Sequence, residues 1–443
     1  MAARSRTLVL VALTGLLLCA GVGLAATTHQ TAPHSLSQSG AGVCGPTSSV
    51  SSPDQVGGLP LGWSRRWVAS DRSVTDSQGQ VWEPDAAVAR GGMIRPAARS
   101  IAGTGTPALY RHERTGVTQY ALPVPTAGRW IVVVYAATAV QPFDVTAGSD
   151  IARVRVGVAG VRQVALVAST SASVLTVAFS VGAASVNAIA VGLAGPAADT
   201  WSTRFCDDFA GSAGRGPDAR KWRHETGPVG SWDGQLQTYT DRPANAGLDG
   251  RGHLSVVARR ERMSLPDGTV RNFTSARLNS MFAGRYGRIS ARIQVPAAAG
   301  GLAAFWMLGA DLPDVGWPEC GEIDILESLG AARPGVVYGT LHGPDGSGGG
   351  WQSGAAAMPA AGSSAAFHEY SVDWWPGIIQ IAADGVVYAA FTPADLSPGQ
   401  RWSFDRPAYI LLSFAVGGSW AGAPAASSPF PQVMLVDSVI WRN

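Results

Sequence analysis

Charge is scarce in this 443-residue chain, since only 14% of its residues are Asp, Glu, Lys or Arg and the formal net charge is +2. No basic stripe emerges, which excludes a nucleic-acid partner of the usual electrostatic kind. Cysteine is also rare, with four in total. If Cys19 leaves with the N-terminal segment, an odd number remains, and a full disulfide framework is excluded. Amphipathic helical windows are almost absent, which removes the helical fold classes.

The N-terminus has a long uncharged run directly after two basic residues. Arg4 and Arg6 precede residues 7–26, which carry no charge and end in small residues. This is the pattern of an export signal. The run is also long enough for an uncleaved membrane anchor. We expect residues 1–26 to be a signal peptide or signal anchor, and the protein to be secreted, with a membrane tether as the alternative.

Composition divides the remaining chain into a linker and two β-rich regions. Residues 27–58 are rich in Ser, Thr, Gln, Pro and Gly, as flexible linkers are. Residues 60–195 and 200–443 alternate short apolar runs with turn clusters, a spacing that predicts antiparallel sandwiches. Pro196–Asp199 is the expected hinge between them. The predicted fold is therefore all-β, with two β-sandwiches in series, and we expect a monomer.

The three cysteines beyond the signal have different expected roles. Cys44 and Cys206 could form a disulfide that ties the N-terminal segment to the start of the last domain in an oxidising compartment. Cys320 directly precedes an acidic run, and we interpret it as a small buried apolar residue rather than a nucleophile.

The sequence Gly-Glu-Ile-Asp-Ile-Leu-Glu at 321–327 is the strongest pointer to function. In a strand, Glu322 and Asp324 share one face, whereas strict alternation sends Glu327 to the other. One extra residue, a β-bulge near Leu326, returns Glu327 to the face of the other two acids. Two glutamates on either side of a bond, with an aspartate between them, are residues suited to hydrolyse a glycosidic bond. The alternative is a strand whose polar face meets solvent.

Several further motifs accompany the acidic run in a fixed order, and together with it they resemble glycoside hydrolase family 16 across residues 201–443. They are Leu236–Arg242, Thr274–Arg277, Tyr286–Arg292, Ala304–Leu308, Gly339–His342, Phe367–His368, Asp384–Gly385 and Ala415–Trp420. The resemblance implies a jelly-roll of two curved antiparallel sheets, with the substrate across the concave face. The extra residue before Glu327 is similar to the laminarinase-like branch, which implies an endo-β-1,3-glucanase.

The resemblance also implies roles for the acids in a retaining mechanism. Glu322 would be the nucleophile, Glu327 the acid/base, and Asp324 a neighbour that shares a proton with Glu322. Retention requires the two glutamate carboxyl groups about 5–5.5 Å apart. Glu327 must begin protonated, so the negative charges beside it serve the mechanism by raising its pKa.

A sugar-binding cleft is expected to be aromatic, because sugar rings stack on Trp and Tyr. By the same resemblance, Arg277 and His342 match family positions near the scissile sugar. The expected substrate-binding residues are Trp306, Trp317, His342, Arg277, Trp232 and Trp420.

Some positions depart from the family pattern or suggest a metal. Leu302 stands where a sugar-facing Trp is usual, Gln235 replaces a Glu, and Ser413 replaces an Asn. These changes concern substrate preference more than catalysis. The family often carries a structural calcium, and Asp208 and Asp437 match its ligand positions. No cofactor is expected for catalysis.

Residues 62–193 resemble malectin-like carbohydrate-binding domains through Val74–Trp82, Ile101–Tyr110, Tyr120–Pro125 and Phe143–Val145. Where such domains have Gln-Ser-Glu-Arg, this chain has Arg111–Arg114. The resemblance implies a glycan-binding accessory domain, and the alternatives are a spacer or a dock onto the catalytic domain.

Other functions stay open for the C-terminal region. The family includes activities on agar, galactan or mixed-linkage glucan, and cell-wall transglycosylases use the same covalent intermediate. Non-catalytic glucan-recognition proteins lose the catalytic glutamates, whereas Glu322 and Glu327 are both present here. The expected partner is therefore a polysaccharide substrate.

Overall fold

The computed structural model describes Cys44 and residues 63–76, 79–97, 107–125, 128–136, 143–147, 150–154, 163–180, 184–193, 202–230, 233–357, 359, 362–364 and 366–443. The predicted signal, the linker apart from Cys44, the hinge and Trp232 lie outside these residues. Strands dominate the described residues, which confirms the all-β prediction. None of their helices is long and apolar enough to cross a membrane.

The first half of the chain forms the N-terminal sandwich, which consists of two six-stranded sheets. One sheet has the order β2-β3-β1-β12-β6-β9, and the other has β11-β5-β10-β7-β8 with β4 beside β5. The strands are β1 Trp63–Val68, β2 Val74–Thr75, β3 Val81–Pro84, β4 Ala89–Pro96, β5 His112–Pro123, β6 Gly128–Tyr135, β7 Phe143–Ala147, β8 Asp150–Val154, β9 Gln163–Thr170, β10 Val174–Phe179, β11 Ser185–Val186 and β12 Ala188–Leu193. Short 3-10 turns cover Asp85–Ala87 and Pro107–Tyr110.

Alternating apolar residues explain this sandwich. In β10, for example, Leu175, Val177 and Phe179 are buried while Val174 is exposed. Side chains of this kind from both sheets form one core, which includes Trp130 and Val132. The observed sandwich agrees with the alternation in the sequence.

The second half of the chain forms the C-terminal sandwich. Its strands are β13 Thr203–Asp207, β14 Trp222–Glu225, β15 Gln237–Tyr239, β16 Ala246–Leu248, β17 Leu254–Ser264, β18 Val270–Ser275, β19 Arg277–Gly284, β20 Gly287–Gln294, β21 Gly301–Gly309, β22 Glu322–Ser328, β23 Val337–Pro344, β24 Gly350–Ala357, β25 His368–Trp375, β26 Ile378–Ala383, β27 Val386–Phe391, β28 Ala408–Val416 and β29 Gln432–Arg442. A short helix, α1, spans Leu312–Val315, and 3-10 turns cover Gly330–Ala332 and Pro393–Asp395.

These strands form two stacked sheets. The front sheet has seven strands in the order β14-β19-β28-β21-β22-β23-β24, so β22 lies near its middle and β24 at its edge. The back sheet has ten strands and includes β29, β20, β25, β26 and β27. A large apolar core lies between them, with Phe305, Ile325, Trp374 and Trp441 fully buried. The face of the front sheet opposite this core is where the acids of β22 are available to a substrate.

The two sandwiches are joined by a second apolar cluster and a disulfide. Trp82, Tyr110 and Tyr135 of the N-terminal sandwich are buried in one cluster with Ile378 of β26, and Trp375 packs against it. Tyr135 Oη lies 3.2 Å from Thr392 Oγ1. Cys44 and Cys206 are disulfide-bonded with their Cα atoms 5.8 Å apart, so the predicted pair is confirmed.

Candidate active site

A β-bulge in β22 determines where its acids point. Asp324 pairs with Thr340 and Glu327 with Tyr338, so that two residues, Ile325 and Leu326, oppose one residue of β23. On the other side, Asp324 pairs with Trp306 and Glu327 with Ala304. Trp306 and Ala304 are two residues apart and share a face, so Asp324 and Glu327 share it too. The predicted bulge is confirmed.

The bulge is held from the back sheet. Tyr388 of β27 donates a hydrogen bond of 2.7 Å to the Ile325 carbonyl oxygen. Tyr388 reaches it across the core and is 4% exposed. Opposite the bulge, Gly339 leaves room for this ring, because a Cβ atom there would lie 3.0 Å from Tyr388 Cε2 and 3.1 Å from Ile381 Cδ1. Neither Tyr388 nor its role could be inferred from the sequence, because the contact joins residues 63 positions apart in the chain.

The three acids and His342 form one polar cluster. Asp324 is buried, whereas Glu322 and Glu327 are partly accessible. His342 Nε2 lies 3.2 Å from Asp324 Oδ2 and 3.9 Å from Glu322 Oε1. The first distance is short, yet Asp324 Oδ2 has no aligned hydrogen-bond donor among the described residues, so we describe it as a close contact and not as a hydrogen bond. The sequence prediction that His342 lies beside the acids agrees with this geometry.

Burial and mutual repulsion make these acids hold their protons. Burial, reinforced by the charge of Asp324, raises the pKa of Glu322 to about 8. Burial also raises the pKa of Asp324. The pKa of Glu327 is raised well above its usual range, again by burial first and then by the charges of Asp324 and Glu322. Such a row cannot carry three full negative charges near neutral pH.

The glutamates differ in their hydrogen-bond donors. Trp317 Nε1 donates to Glu322 Oε2 at 3.0 Å, and a positive charge on Arg277 also favours the ionised form of Glu322. Glu327 instead accepts a longer bond of 3.3 Å from the hydroxyl of Thr340. Because an N–H donor and a nearby cation stabilise a carboxylate, Glu322 is the better placed glutamate to ionise.

Two exposed indoles lie near opposite ends of the acidic row. Trp317, 51% exposed, is bonded to Glu322. Trp420, 46% exposed, packs edge-on against Tyr338 with ring centroids 4.9 Å apart, and Tyr338 is the strand neighbour of Glu327. Both therefore offer an accessible aromatic surface beside the acids. Tyr338 was missed in the sequence, although its place directly before the quoted Gly339–His342 motif could have indicated it.

Trp306 and Arg277 are brought together but are less available than expected. The Arg277 guanidinium lies over the Trp306 ring, 4.6 Å from its centroid, and therefore covers one ring face. Trp306 Nε1 donates to Ser413 Oγ at 3.0 Å, so the Ser that replaces the usual Asn still accepts a hydrogen bond. Arg277 Nε is 2.7 Å from Glu225 Oε2, an ion pair without hydrogen-bond alignment. Glu225 was not identified from the sequence.

The two side chains predicted as calcium ligands, Asp208 and Asp437, have other polar neighbours in the structure. Asp437 Oδ1 lies 3.4 Å from Arg292 Nη1 and 3.7 Å from His253 Nε2, and these groups compete with a cation. Asp208 accepts a local bond from the Ala210 backbone N–H. Within the described ranges, the only close group of three metal-ligand side chains is Glu322, Asp324 and His342. Neither aspartate belongs to that group, so the calcium site stays a prediction from the sequence.

In the N-terminal sandwich, several residues from the motifs that resemble carbohydrate-binding domains are buried and not exposed to solvent. Arg114 forms a two-pronged bond to Asp85, at 2.6 and 2.8 Å, and Tyr120 donates to the same carboxylate at 2.8 Å. Trp82 and Tyr110 lie in the cluster shared with the C-terminal sandwich. These side chains stabilise the fold and the contact between sandwiches.

Cys320 is buried beside the acidic strand, as expected, and is a free thiol. Burial, followed by the charge of Glu322, raises the pKa of this thiol to about 11. It therefore stays protonated and unreactive at neutral pH.

Comparison with known proteins places this geometry in a family. The family model of glycosyl hydrolases family 16 matches residues 248–429. A beta-glucanase of Rhodothermus marinus is 34% identical over 251 residues, covering 54% of this chain and 82% of the relative. A glucan endo-1,3-beta-glucosidase of Cryptopygus antarcticus is 35% identical over 231 residues, covering 50% and 83%. The endo-beta-1,3-glucanase structure from Pyrococcus furiosus superposes with a TM-score of 0.50 at 36% identity, covering 55% of this chain and 94% of that one.

An all-β sandwich with a bulged acidic strand and this degree of similarity defines a glycoside hydrolase. The chain belongs to glycosyl hydrolases family 16, and catalysis in this family needs no cofactor.

Proposed function

We propose that the protein is an exported, retaining endo-β-1,3-glucanase. The observation that carries the proposal is the bulge at Ile325–Leu326, which places Glu327 on the same face as Glu322 and Asp324. Without the bulge, the two glutamates would point into different layers and could not flank one glycosidic bond.

The different surroundings of the two glutamates support different roles for them. Glu322, with the Trp317 N–H donor and the nearby Arg277 charge, attacks the anomeric carbon as a carboxylate. Glu327 has the pKa held well above its usual range and gives its proton to the departing glycosidic oxygen. In the second step, Glu327 takes a proton from water, the water oxygen bonds to the anomeric carbon, and Glu322 leaves as a carboxylate.

Asp324 and His342 regulate the charge beside the nucleophile. Asp324 is buried between the glutamates, and His342 is 3.2 Å from it. A proton shared between Asp324 and Glu322 can rest on Asp324 while Glu322 attacks, which lowers the negative charge that opposes ionisation of Glu322. Asp324 thus acts on the titration of its neighbours and forms no bond to the sugar.

Exposed aromatic side chains and the relatives support a β-1,3-glucan substrate. Trp317 and Trp420 supply accessible indoles on either side of the acids, and sugar rings stack on such surfaces. Two of the relatives named above are themselves called endo-1,3-β-glucan hydrolases. The Cys44–Cys206 disulfide supports export, because such bonds persist in oxidising compartments.

A second candidate is a family 16 activity on a different polysaccharide. Leu302 favours it, because this half-buried aliphatic side chain lies on the same face of β21 as Trp306 and Ala304 and provides no aromatic platform there. Transfer to an acceptor sugar instead of water would use the same intermediate.

For the N-terminal sandwich we infer a docking role. The side chains that suggest glycan binding, Trp82 and Tyr110, are 1% and 2% exposed and pack in the cluster that contains Ile378. A malectin-like identity for this sandwich stays a prediction from the sequence.

A substrate panel tests the proposed activity. The full chain is incubated with laminarin, lichenan, agarose, a galactan and carrageenan, and products are separated by length and anomeric configuration. We expect internal cleavage of laminarin with β-configured new ends, absent in Glu322→Gln. Cleavage of a galactan alone would reject the substrate while leaving the retaining mechanism open to the same anomeric test. Products longer than the substrate would indicate transglycosylation.

A further inference from the structure

A second cavity opens beside the edge strand of the front sheet. It has a volume of about 180 Å³ and lies between β24 and the segment 391–402 that follows β27. Its floor contains Trp351, Phe391 and Leu396, which are buried. Its rim contains Gln352, Gln400 and the half-buried Trp402. An apolar floor with a few polar groups at the rim is the usual composition of a small-ligand site.

The polar groups at the rim favour a neutral ligand rich in hydroxyl groups. Gln400 accepts a hydrogen bond from the Ser397 backbone through Oε1, and its Nε2 has no acceptor in the described part of the chain. Asp395, the only acid among the described lining residues, accepts a hydrogen bond from the Thr392 backbone N–H at 2.8 Å. None of the described lining residues is Lys or Arg. Amide groups beside an indole bind sugar hydroxyls without needing a charged ligand.

Trp402 provides the aromatic surface. Its ring meets Phe404 edge-on, with centroids 4.8 Å apart, which fixes the indole against the core while leaving the side chain partly accessible. Its Nε1 has no acceptor within the described residues. The volume is below the 300–1,000 Å³ typical of drug-sized ligands, so the cavity suits one sugar ring and not an oligosaccharide.

The position of the cavity links it to the acidic row. Gln352 is the strand partner of His342 and projects from the same face of the sheet. Its neighbour Trp351 alternates to the core face, so the cavity lies round the edge of β24 from the acids. His342 in turn contacts Asp324 and Glu322. Strands are about 4.8 Å apart, so the edge strand β24 lies about 10 Å from β22. A polysaccharide that crosses the front sheet from the acids arrives at this edge.

We propose that this cavity binds one neutral pyranose unit of the polysaccharide, away from the cleaved bond and at the open edge between the two sheets. The proposal rests on the proposed function for the presence of a glycan chain in the cleft. It makes the enzyme favour long chains over short ones, because only a long chain reaches both the acids and the cavity.

Two exposed positions of β24 test the site without disturbing the core. Gln352→Ala removes a rim amide, and Ser353→Tyr places a ring over the opening; Val174→Tyr, on an exposed strand of the N-terminal sandwich, is the matched control. KM and kcat are measured on laminarin and on laminaritetraose, with the melting temperature of each variant. We expect both cavity variants to raise KM on laminarin about three- to tenfold, the range of one to two lost hydrogen bonds or a lost stacking contact. We expect kcat and the tetrasaccharide kinetics to stay within about twofold of the parent.

A binding measurement separates this proposal from the assigned activity. The same substitutions are placed in the Glu322→Gln chain, and retardation in gels containing the polymer that the wild type cleaves is compared. If wild type cleaves no β-1,3-glucan, the substrate assignment fails, and the cavity is tested on the polymer found instead. If the cavity variants match the parent in retardation and KM at equal melting temperature, the sugar site is wrong.

Discussion

The hydroxyl of Tyr388 in the back sheet donates a 2.7 Å hydrogen bond to the carbonyl of Ile325 in the bulge that orients the acids. An extra residue in a bulge loses regular ladder partners, and a buried carbonyl without a partner is costly. The back sheet thus supplies, through the side chain of Tyr388, a hydrogen bond to the Ile325 carbonyl oxygen of the bulge. The shape of the active strand depends on a residue on the far side of the core.

Tyr388→Phe should therefore lower both stability and turnover. Loss of the hydroxyl leaves the Ile325 carbonyl buried and unbonded, at a cost of about 1–3 kcal/mol, and loosens the bulge. We expect a fall in kcat at almost unchanged KM. Tyr370→Phe is the matched control, because Tyr370 is equally buried in the same core but its hydroxyl has no partner in the described structure. Equal effects of the two substitutions would deny the bulge-holding role.

Gly339→Ala should damage the same feature by crowding. The new methyl group would lie 3.0–3.1 Å from Tyr388 and Ile381, so that one of these buried side chains must shift. Overpacking of this kind costs about 1–3 kcal/mol, and displacement of Tyr388 should reduce kcat further. Gly216→Ala is the control, since a Cβ there meets no atom within 4 Å. Melting temperature and laminarin turnover would be measured together; a fully active Gly339→Ala enzyme contradicts the argument.

The bulge itself was predictable from the sequence because three acids in seven residues can serve one face only with an extra residue. The Cys44–Cys206 pair was a possibility that the sequence offered, and the structure contains it. Tyr388 was not predictable, because its contact depends on how two sheets stack. The surroundings of Asp437 were not predictable for the same reason: the sequence does not reveal that Arg292 approaches its carboxylate. The roles of Trp82 and Tyr110 also depend on a contact between sandwiches that sequence patterns do not encode.

Azide should distinguish the two glutamates. With an activated glycoside, Glu322→Ala is expected to regain turnover in azide and to give an azide of inverted anomeric configuration, since azide replaces the missing nucleophile. Glu327→Ala is expected to give the retained azide, because it attacks the covalent intermediate. Asp324→Asn should lose less activity than either. Product configuration is read by NMR, and the opposite pairing of variant and product would exchange the assigned roles.

The raised pKa values make a prediction about stability and pH. In the unfolded chain a glutamate loses its proton near pH 4.3, whereas folded Glu322 keeps it to about pH 8. Folding stability is therefore unaffected below the unfolded pKa and falls as pH rises through this window. Each pKa unit is worth about 1.4 kcal/mol, and because three acids share the protons, removing one recovers on the order of 2 kcal/mol.

Glu322→Gln should accordingly melt several degrees higher than wild type at pH 8.5 and at nearly the same temperature at pH 4.5. Asp71→Asn is the control, since that side chain is 80% exposed and should not change the pH slope. Calorimetry across this range gives the measurement. If the melting temperature of Glu322→Gln exceeded that of wild type by more at low pH than at high pH, the predicted pH dependence would be wrong.

Removing the N-terminal sandwich should lower the stability of the protein more than its catalytic rate. The three acids of β22 lie within residues 201–443, so we expect this fragment to cleave soluble oligosaccharides by itself. The fragment would, however, expose Ile378, which is 0% exposed in the full chain, and would lose the Cys44–Cys206 bond. A disulfide typically contributes about 2–4 kcal/mol. We expect a lower melting temperature and more aggregation than for the full chain, with kcat on oligosaccharides within about threefold.

The double variant Cys44→Ser, Cys206→Ser isolates the contribution of the disulfide, and Ile378→Ser in the fragment should restore solubility. A fragment as stable as the full chain would show that the apolar cluster between the sandwiches adds nothing.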